Sequence, residues 1–183
     1  MTIIIIIVAI VAVLVIWGIS IQRGLVSKDE LCQNSMSQIG VQQQSRWDAI
    51  TSLVKLTKSY NEHEYNTLRD IIAQRREVVG TSKAADASAQ EDILVQAAAR
   101  IRAVAEQYPE LKANETYAKT MDSVNSYENQ VRVSRMVYND AVTKFNRAVR
   151  QFPDSVVAGM LHFSVRDYLK DPGEKAEMPE INI

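Results

Sequence analysis

Residues 117–152 read YAKTMDSVNSYENQVRVSRMVYNDAVTKFNRAVRQF. Within them Tyr117, Met121, Val124, Glu128, Val131, Arg135, Tyr138, Val142, Phe145, Val149 and Phe152 stand at alternating steps of four and three. That spacing marks one face of a helix, held for about ten turns at 3.6 residues per turn. No Gly or Pro interrupts it before Pro153. Such an apolar seam cannot bury itself, so other segments must pack along it in a coiled-coil-like bundle. Two seam positions, Glu128 and Arg135, are charged, which a pure packing seam would avoid.

Upstream, Ile3 to Ile21 is almost wholly aliphatic, and no charged side chain appears before Arg23. Nineteen helical residues reach about 29 Å, close to a hydrocarbon core of about 30 Å. Trp17 suits a membrane interface. A signal peptide would want a basic start, a shorter apolar core and a small-x-small cleavage site, none of which is present. A lipoprotein would need small residues before Cys32, where Asp29, Glu30 and Leu31 stand. Residues 1–24 are therefore expected to be a retained anchor, meeting the bilayer through residues 3–21. Arg23 and Lys28 follow the span, which by the positive-inside rule points to a cytoplasmic bundle.

Between anchor and seam, Cys32, Met36, Ile39, Trp47, Ile50, Val54, Thr57, Tyr65, Leu68, Ile72 and Val79 keep mostly to steps of three and four, with Gln43 and Asn61 in phase. The pattern reads as one helix from about Ser27 to Val79, with Tyr60-Asn61-Glu62-His63 as the place for a break. Gly40 reads as a blemish and Gly80 as a C-terminal stop. Residues 81–90 read as a loop or frayed helix start. A helix from about Ser88 to Tyr108 carries the stripe Ile93, Leu94, Ala97, Ala98, Ile101, Val104 and Ala105. Pro109 ends it, and Asn114 is placed to cap the seam helix. After Pro153, Asp154 or Ser155 would cap a short helix, Val156 to Phe163. Asp171-Pro172-Gly173 reads as a turn in an extended or flexible tail.

The expected fold is all-α: a single transmembrane helix, then an antiparallel bundle of three long helices and a short fourth. The expected divisions are residues 1–24, 25–164 and 165–183.

The net charge of −1 over 183 residues gives no field for nucleic acid. Cys32 is the only cysteine, so no internal disulfide and no zinc-type cluster is expected. His63-Glu64 begins like a helical zinc-protease motif but lacks the second His, so no metal or cofactor is expected. Glu128 and Asp140 are about 18 Å apart on one helix, too far for joint acid–base work. Arg132, Lys144, Arg147 and Arg150 read as a solvated face; a lipid-headgroup patch is the weaker reading. The seam charges are more informative. Arg46, Asp48, Gln42 and Gln43 are candidate partners for Glu128 and Arg135, and a buried polar layer of Arg46, Asp48, Glu128 and Arg135 would fix bundle register.

The run Tyr108-Pro109-Glu110-Leu111-Lys112-Ala113-Asn114 resembles the LemA family. So do Ser37-Gln38-Ile39, Tyr60 with His63-Glu64, Tyr127-Glu128-Asn129-Gln130-Val131, Tyr138-Asn139-Asp140-Ala141-Val142, Asn146, Phe152-Pro153 and Ala158-Gly159-Met160. Where the family carries Ile-Pro-Asn-Leu-Val, this chain has Ile50-Thr51-Ser52-Leu53-Val54. The resemblance implies a single-pass bacterial membrane protein with a cytoplasmic antiparallel bundle. It supplies no catalytic residues, and some relatives help to build magnetosome membranes. The expectation is a non-catalytic scaffold or adaptor at the inner membrane face, with a protein partner and a homo-oligomer both compatible. The alternatives are a small-ligand sensor or enzyme using the Glu128–Arg135 layer, and a membrane-remodelling oligomer.

Overall fold

A computed structural model describes residues 1–170. Those residues form six helices: α1 (Thr2–Thr57), α2 (Glu62–Ile72), α3 (Ala84–Gln107), α4 (Pro109–Lys112), α5 (Glu115–Arg150) and α6 (Asp154–Met160). The chain is all-α among the described residues, with α1, α3 and α5 as the long members. The expected turn at Asp171-Pro172-Gly173 and the rest of residues 171–183 lie outside the described residues.

α1 is unbroken over 56 residues, about 84 Å at 1.5 Å per residue. It stays helical through Ile50–Val54. Its first part is long and apolar enough to cross a membrane: an 18-residue window has mean hydropathy 3.2, none of it buried inside the fold. The buried part begins at Leu25 and continues through Cys32, Met36, Ile39, Gln43, Arg46, Ile50, Leu53 and Thr57. From Cys32 onward these positions again alternate by four and three, the complement of the α5 seam.

α5 returns antiparallel to α1. Trp47, Ile50 and Val54 share a core with Tyr117, Met121 and Val124. Cys32, Met36 and Ile39 share one with Tyr138, Val142 and Phe145. Leu25 packs with Ala148 and Ala158. The C-terminal end of α5 therefore lies where α1 leaves its apolar run. α3 runs along the distal half, laying Leu94, Ala98, Ile101 and Ala105 into the Trp47 core. Its alanines let it approach closely.

The expected single helix from Ser27 to Val79 is corrected. α1 stops at Thr57, and Asn61 caps α2 by accepting from the N–H groups of His63 (2.8 Å) and Glu64 (3.1 Å). The chain then leaves helical form and descends beside α1 as an extended strap over residues 75–79. Gln90 holds the strap, accepting from the Arg76 N–H at 2.7 Å and donating to the Gln74 carbonyl at 3.3 Å. Gly40 is the seat of this crossing: a Cβ there would collide with the Val78 carbonyl. Gly80 does not stop a helix; a Cβ on it would come within 2.8 Å of the Gln33 carbonyl oxygen and of Ser37 Oγ.

Smaller differences follow the same logic. α3 starts at Ala84 and absorbs most of the expected loop over 81–90, since Ala84 and Ala87 are buried against α1 and α5. Asn114 caps α5 as its position predicts, at 2.9 and 3.2 Å from the Thr116 and Tyr117 N–H groups. Phe152 falls beyond the end of α5 and is exposed. α6 begins at Asp154 without a side-chain cap and ends at Met160, and His162 just beyond it takes a left-handed φ of 60°.

The first residues of the expected tail are held against the bundle. Residues 165–170 are a second extended strap clasped to α5. Asn146 accepts from the Arg166 N–H at 2.8 Å and donates to its carbonyl at 2.9 Å. Asn139 does the same for Leu169, at 2.9 and 3.0 Å. The seven helical steps from Asn139 to Asn146 rise about 10 Å. Three extended steps from Arg166 to Leu169 cover about the same distance. That match lets two asparagines two turns apart bracket the strap, while Leu169 enters the core.

Candidate functional site

The seams of α1, α3 and α5 each carry one charge at the same level, and the three meet. Arg46 on α1 donates from Nη1 to Glu91 Oε1 on α3 at 2.5 Å and from Nη2 to Glu128 Oε2 on α5 at 2.7 Å. Gln43, one turn before Arg46, donates to Glu91 Oε2 at 3.1 Å and to the Ala87 carbonyl at 3.0 Å. The side chains of Arg46 and Glu91 are 1% and 7% exposed, whereas Glu128 is 33% exposed and forms the solvent edge. One guanidinium thus faces two carboxylates, with an amide steadying the deeper one.

A charge taken out of water is tolerated when it is paired and hydrogen-bonded, and a buried pair ties together the elements that carry it. Here the pairing joins three helices at one level. Sliding α3 or α5 by one turn, about 5.4 Å, would break it. Three neighbouring polar atoms, Gln43 Oε1, Arg46 Nε and Trp47 Nε1, are buried without a partner among the described residues.

Of the expected layer, Arg46 and Glu128 are brought together and the other two are placed elsewhere. Asp48 points away from the seam and meets Arg75 of the first strap at 3.0 Å, its side chain 63% exposed. It directly follows Trp47 on α1, and a helix rotates each position by about 100°. Arg135 is buried but lies two turns from Glu128, where the second strap crosses, and its guanidinium donates to the Lys170 carbonyl. Gln42 is half-buried, and Gln43 takes the contact instead. Glu91 was not anticipated. The α3 seam runs back through it: Ala87, Glu91, Leu94, Ala98, Ile101 and Ala105 alternate by four and three. Reading the chain before Ser88 as a loop concealed that phase.

A second polar contact lies toward the other end. Arg166 of the strap donates to Asp29 of α1 at 2.8 Å. Burial acts to raise the Asp29 pKa, but hydrogen bonds from Arg166 and Gln33 and the Arg166 charge outweigh it, holding the carboxyl below its ordinary value. Burial pushes the Cys32 thiol up, which disfavours its reactive thiolate. Glu64 of the His63-Glu64 pair is clasped by Arg100 of α3 at 2.7–3.1 Å, joining α2 to α3. Among the described residues no three His, Cys, Asp or Glu side chains are grouped to hold a metal ion.

Compared with known families, the chain matches the model of the LemA family over residues 35–183. No curated protein matches it. The match takes in Arg46, Glu91 and Glu128 and both asparagines that clasp the second strap.

Proposed function

This chain belongs to the LemA family, and on that premise we propose that it is a membrane-anchored, non-catalytic scaffold that presents a helical post at the cytoplasmic face. The observation that carries the reading is the continuity of α1 from its apolar run to the distal end of the bundle. An anchor and a bundle that share one helix move as one body, so the bundle is held at a fixed attitude to the bilayer. From Leu25 to Thr57 the post reaches about 50 Å. Anchoring also concentrates it in two dimensions, which favours weak partners. The deepest charges of the bundle are engaged with one another, which leaves its exposed faces for partners.

Crosslinking in intact cells followed by mass spectrometry tests this reading. Recurrent crosslinks from exposed lysines such as Lys119 and Lys144 to a defined set of proteins support it. Turnover of a small molecule by the purified chain, lost in Arg46→Ala, would replace it with the enzyme reading. The cytoplasmic orientation rests on Arg23 and Lys28 beside the apolar run. An impermeant thiol reagent should leave a Ser123→Cys chain unlabelled in intact cells; strong labelling would reverse the orientation.

One observation favours an oligomer as the second reading. Val133, Met136 and Val137 form an exposed apolar stripe on α5, at 60%, 68% and 46% exposure. A soluble face would not need it. Disulfide trapping of a Met136→Cys chain in the membrane supports a homo-oligomer if it yields a dimer.

A further inference from the structure

We infer that α6, with the turn before it, is a second membrane contact: an interfacial helix lying in the headgroup–acyl boundary beside the anchor. The inference rests on the reading that residues 3–21 span a bilayer. α6 buries Ala158 and half-buries Val157 against α1 and α5. Its other side is apolar and exposed. Phe152, Val156 and Met160 recur at every fourth residue and are 78%, 51% and 75% exposed. A seven-residue helix with an uncovered stripe of this kind has no reason to be apolar in water.

Position says what covers it. Val156 and Met160 face α1 across a groove of about 360 Å³, whose α1 wall includes Leu14, Trp17, Gly18 and Ile19. These α1 residues belong to the apolar run itself. From Leu14 to Ile21 is about 10 Å along the helix. α6 therefore sits level with the last two turns of the span, and interfacial helices settle about 5–10 Å into the boundary. Its apolar stripe is continuous with the lipid-facing surface of the anchor. Arg23 on α1 and Arg147 and Arg150 on the last turn of α5 are exposed at the same end of the molecule, where anionic headgroups would lie. Asp154 stands among them, half-buried. Arg147 and Arg150 are distant from the anchor in sequence, but the antiparallel return of α5 brings them to it. α6 would thus clamp the base of the post and fix its tilt.

Depth-dependent quenching tests this on the full chain. Single cysteines at Ala12, Met160 and Ser123, in a Cys32→Ala background, are labelled with an environment-sensitive fluorophore. The chains are then placed in phosphatidylcholine–phosphatidylglycerol vesicles carrying a quencher at an upper or a terminal acyl carbon. All three positions are exposed, so the labels spare the core. The expected result is stronger quenching of Met160 by the upper-carbon lipid, stronger quenching of Ala12 by the terminal-carbon lipid, and neither at Ser123, about 40 Å from the end of α5. If Ala12 is quenched but Met160 behaves like Ser123, the clamp is overturned and the anchor stands. If Ala12 is unquenched, the anchor reading falls and the clamp with it.

Discussion

Arg46 is where single residues decide most. Its two carboxylates are not equal: Glu91 is almost fully enclosed, while a third of Glu128 is exposed. Removing Glu91 leaves the guanidinium buried with one solvent-edge partner, and Glu91→Ala should cost about 3–5 kcal/mol. Water can partly replace Glu128, so Glu128→Ala should cost about 1.5–3 kcal/mol, the worth of a charged hydrogen bond. Denaturant titration measures both. Combining each with Arg46→Ala should give strongly non-additive losses, whereas Glu128→Ala with Arg135→Ala should add. Additivity of Glu91→Ala with Arg46→Ala would sink the three-helix layer. Asp29 makes a second prediction. Its folded pKa lies below the unfolded value, so its pairing with Arg166 stabilises above the unfolded pKa and is lost as pH falls through the folded one. The protection factor of the Arg166 amide, its exchange rate corrected for the intrinsic effect of pH, should fall over that acid range, and Asp29→Asn should remove that fall.

At the scale of elements, the two extended straps hold the bundle closed. Each needs a device that helix periodicity alone does not display. The first needs Gly40, since any side chain there meets the Val78 backbone. Gly40→Ala should destabilise by about 1–3 kcal/mol through overpacking, despite the better helix propensity of Ala. Gly18, with open space around its Cβ position, serves as the control: Gly18→Ala should cause no loss. Thermal melts followed by circular dichroism separate the two. The second strap needs Asn139 and Asn146, whose amides bracket Leu169 and Arg166. Asn139→Ala leaves the Leu169 amide and carbonyl without those partners, at about 1–3 kcal/mol. Trypsin should then cut after Lys170 or Arg166 faster than in the unaltered chain. An unchanged digestion rate would mean that Leu169 alone secures the strap.

For the whole molecule, the apolar run and the bundle share a helix, and at the end of that run Ile21 packs against the small core of Leu25, Ala148 and Ala158. The large side chains of the Leu25–Thr57 seam are buried among the other helices and the straps, whereas an 18-residue stretch of the apolar run is unburied. A chain lacking residues 1–24 should therefore fold, remain in solution without detergent, and show strongly helical circular dichroism. Leu25 must be kept, because it closes the small core formed with Ala148 and Ala158. A truncated chain that is disordered would show that the apolar run is part of the fold. One that folds but associates through its exposed α6 stripe would still satisfy this expectation.

Several features were legible in the sequence because they are local or periodic. The apolar run is a matter of length and composition. The α5 seam and the Asn114 cap depend on spacing along one helix, and spacing is what a sequence records. The family resemblance rested on motifs in order, and the match over residues 35–183 agrees with it. Tertiary structure alone decided the rest. A steady three-and-four spacing from Cys32 to Val79 does not say whether the chain continues or reverses, because a helix and its antiparallel return can keep the same phase. Asp48 and Arg46 are two residues apart, and only the rotation of the helix within the bundle sends one to solvent and the other to the core. Arg135 had the same seam phase as Glu128, yet its neighbour is a strap that arrives from residue 170. Gly40 looked like a defect until the chain crossing it was known. Charges at seam positions announce that partners are needed; which partners they find depends on which helices lie at their level.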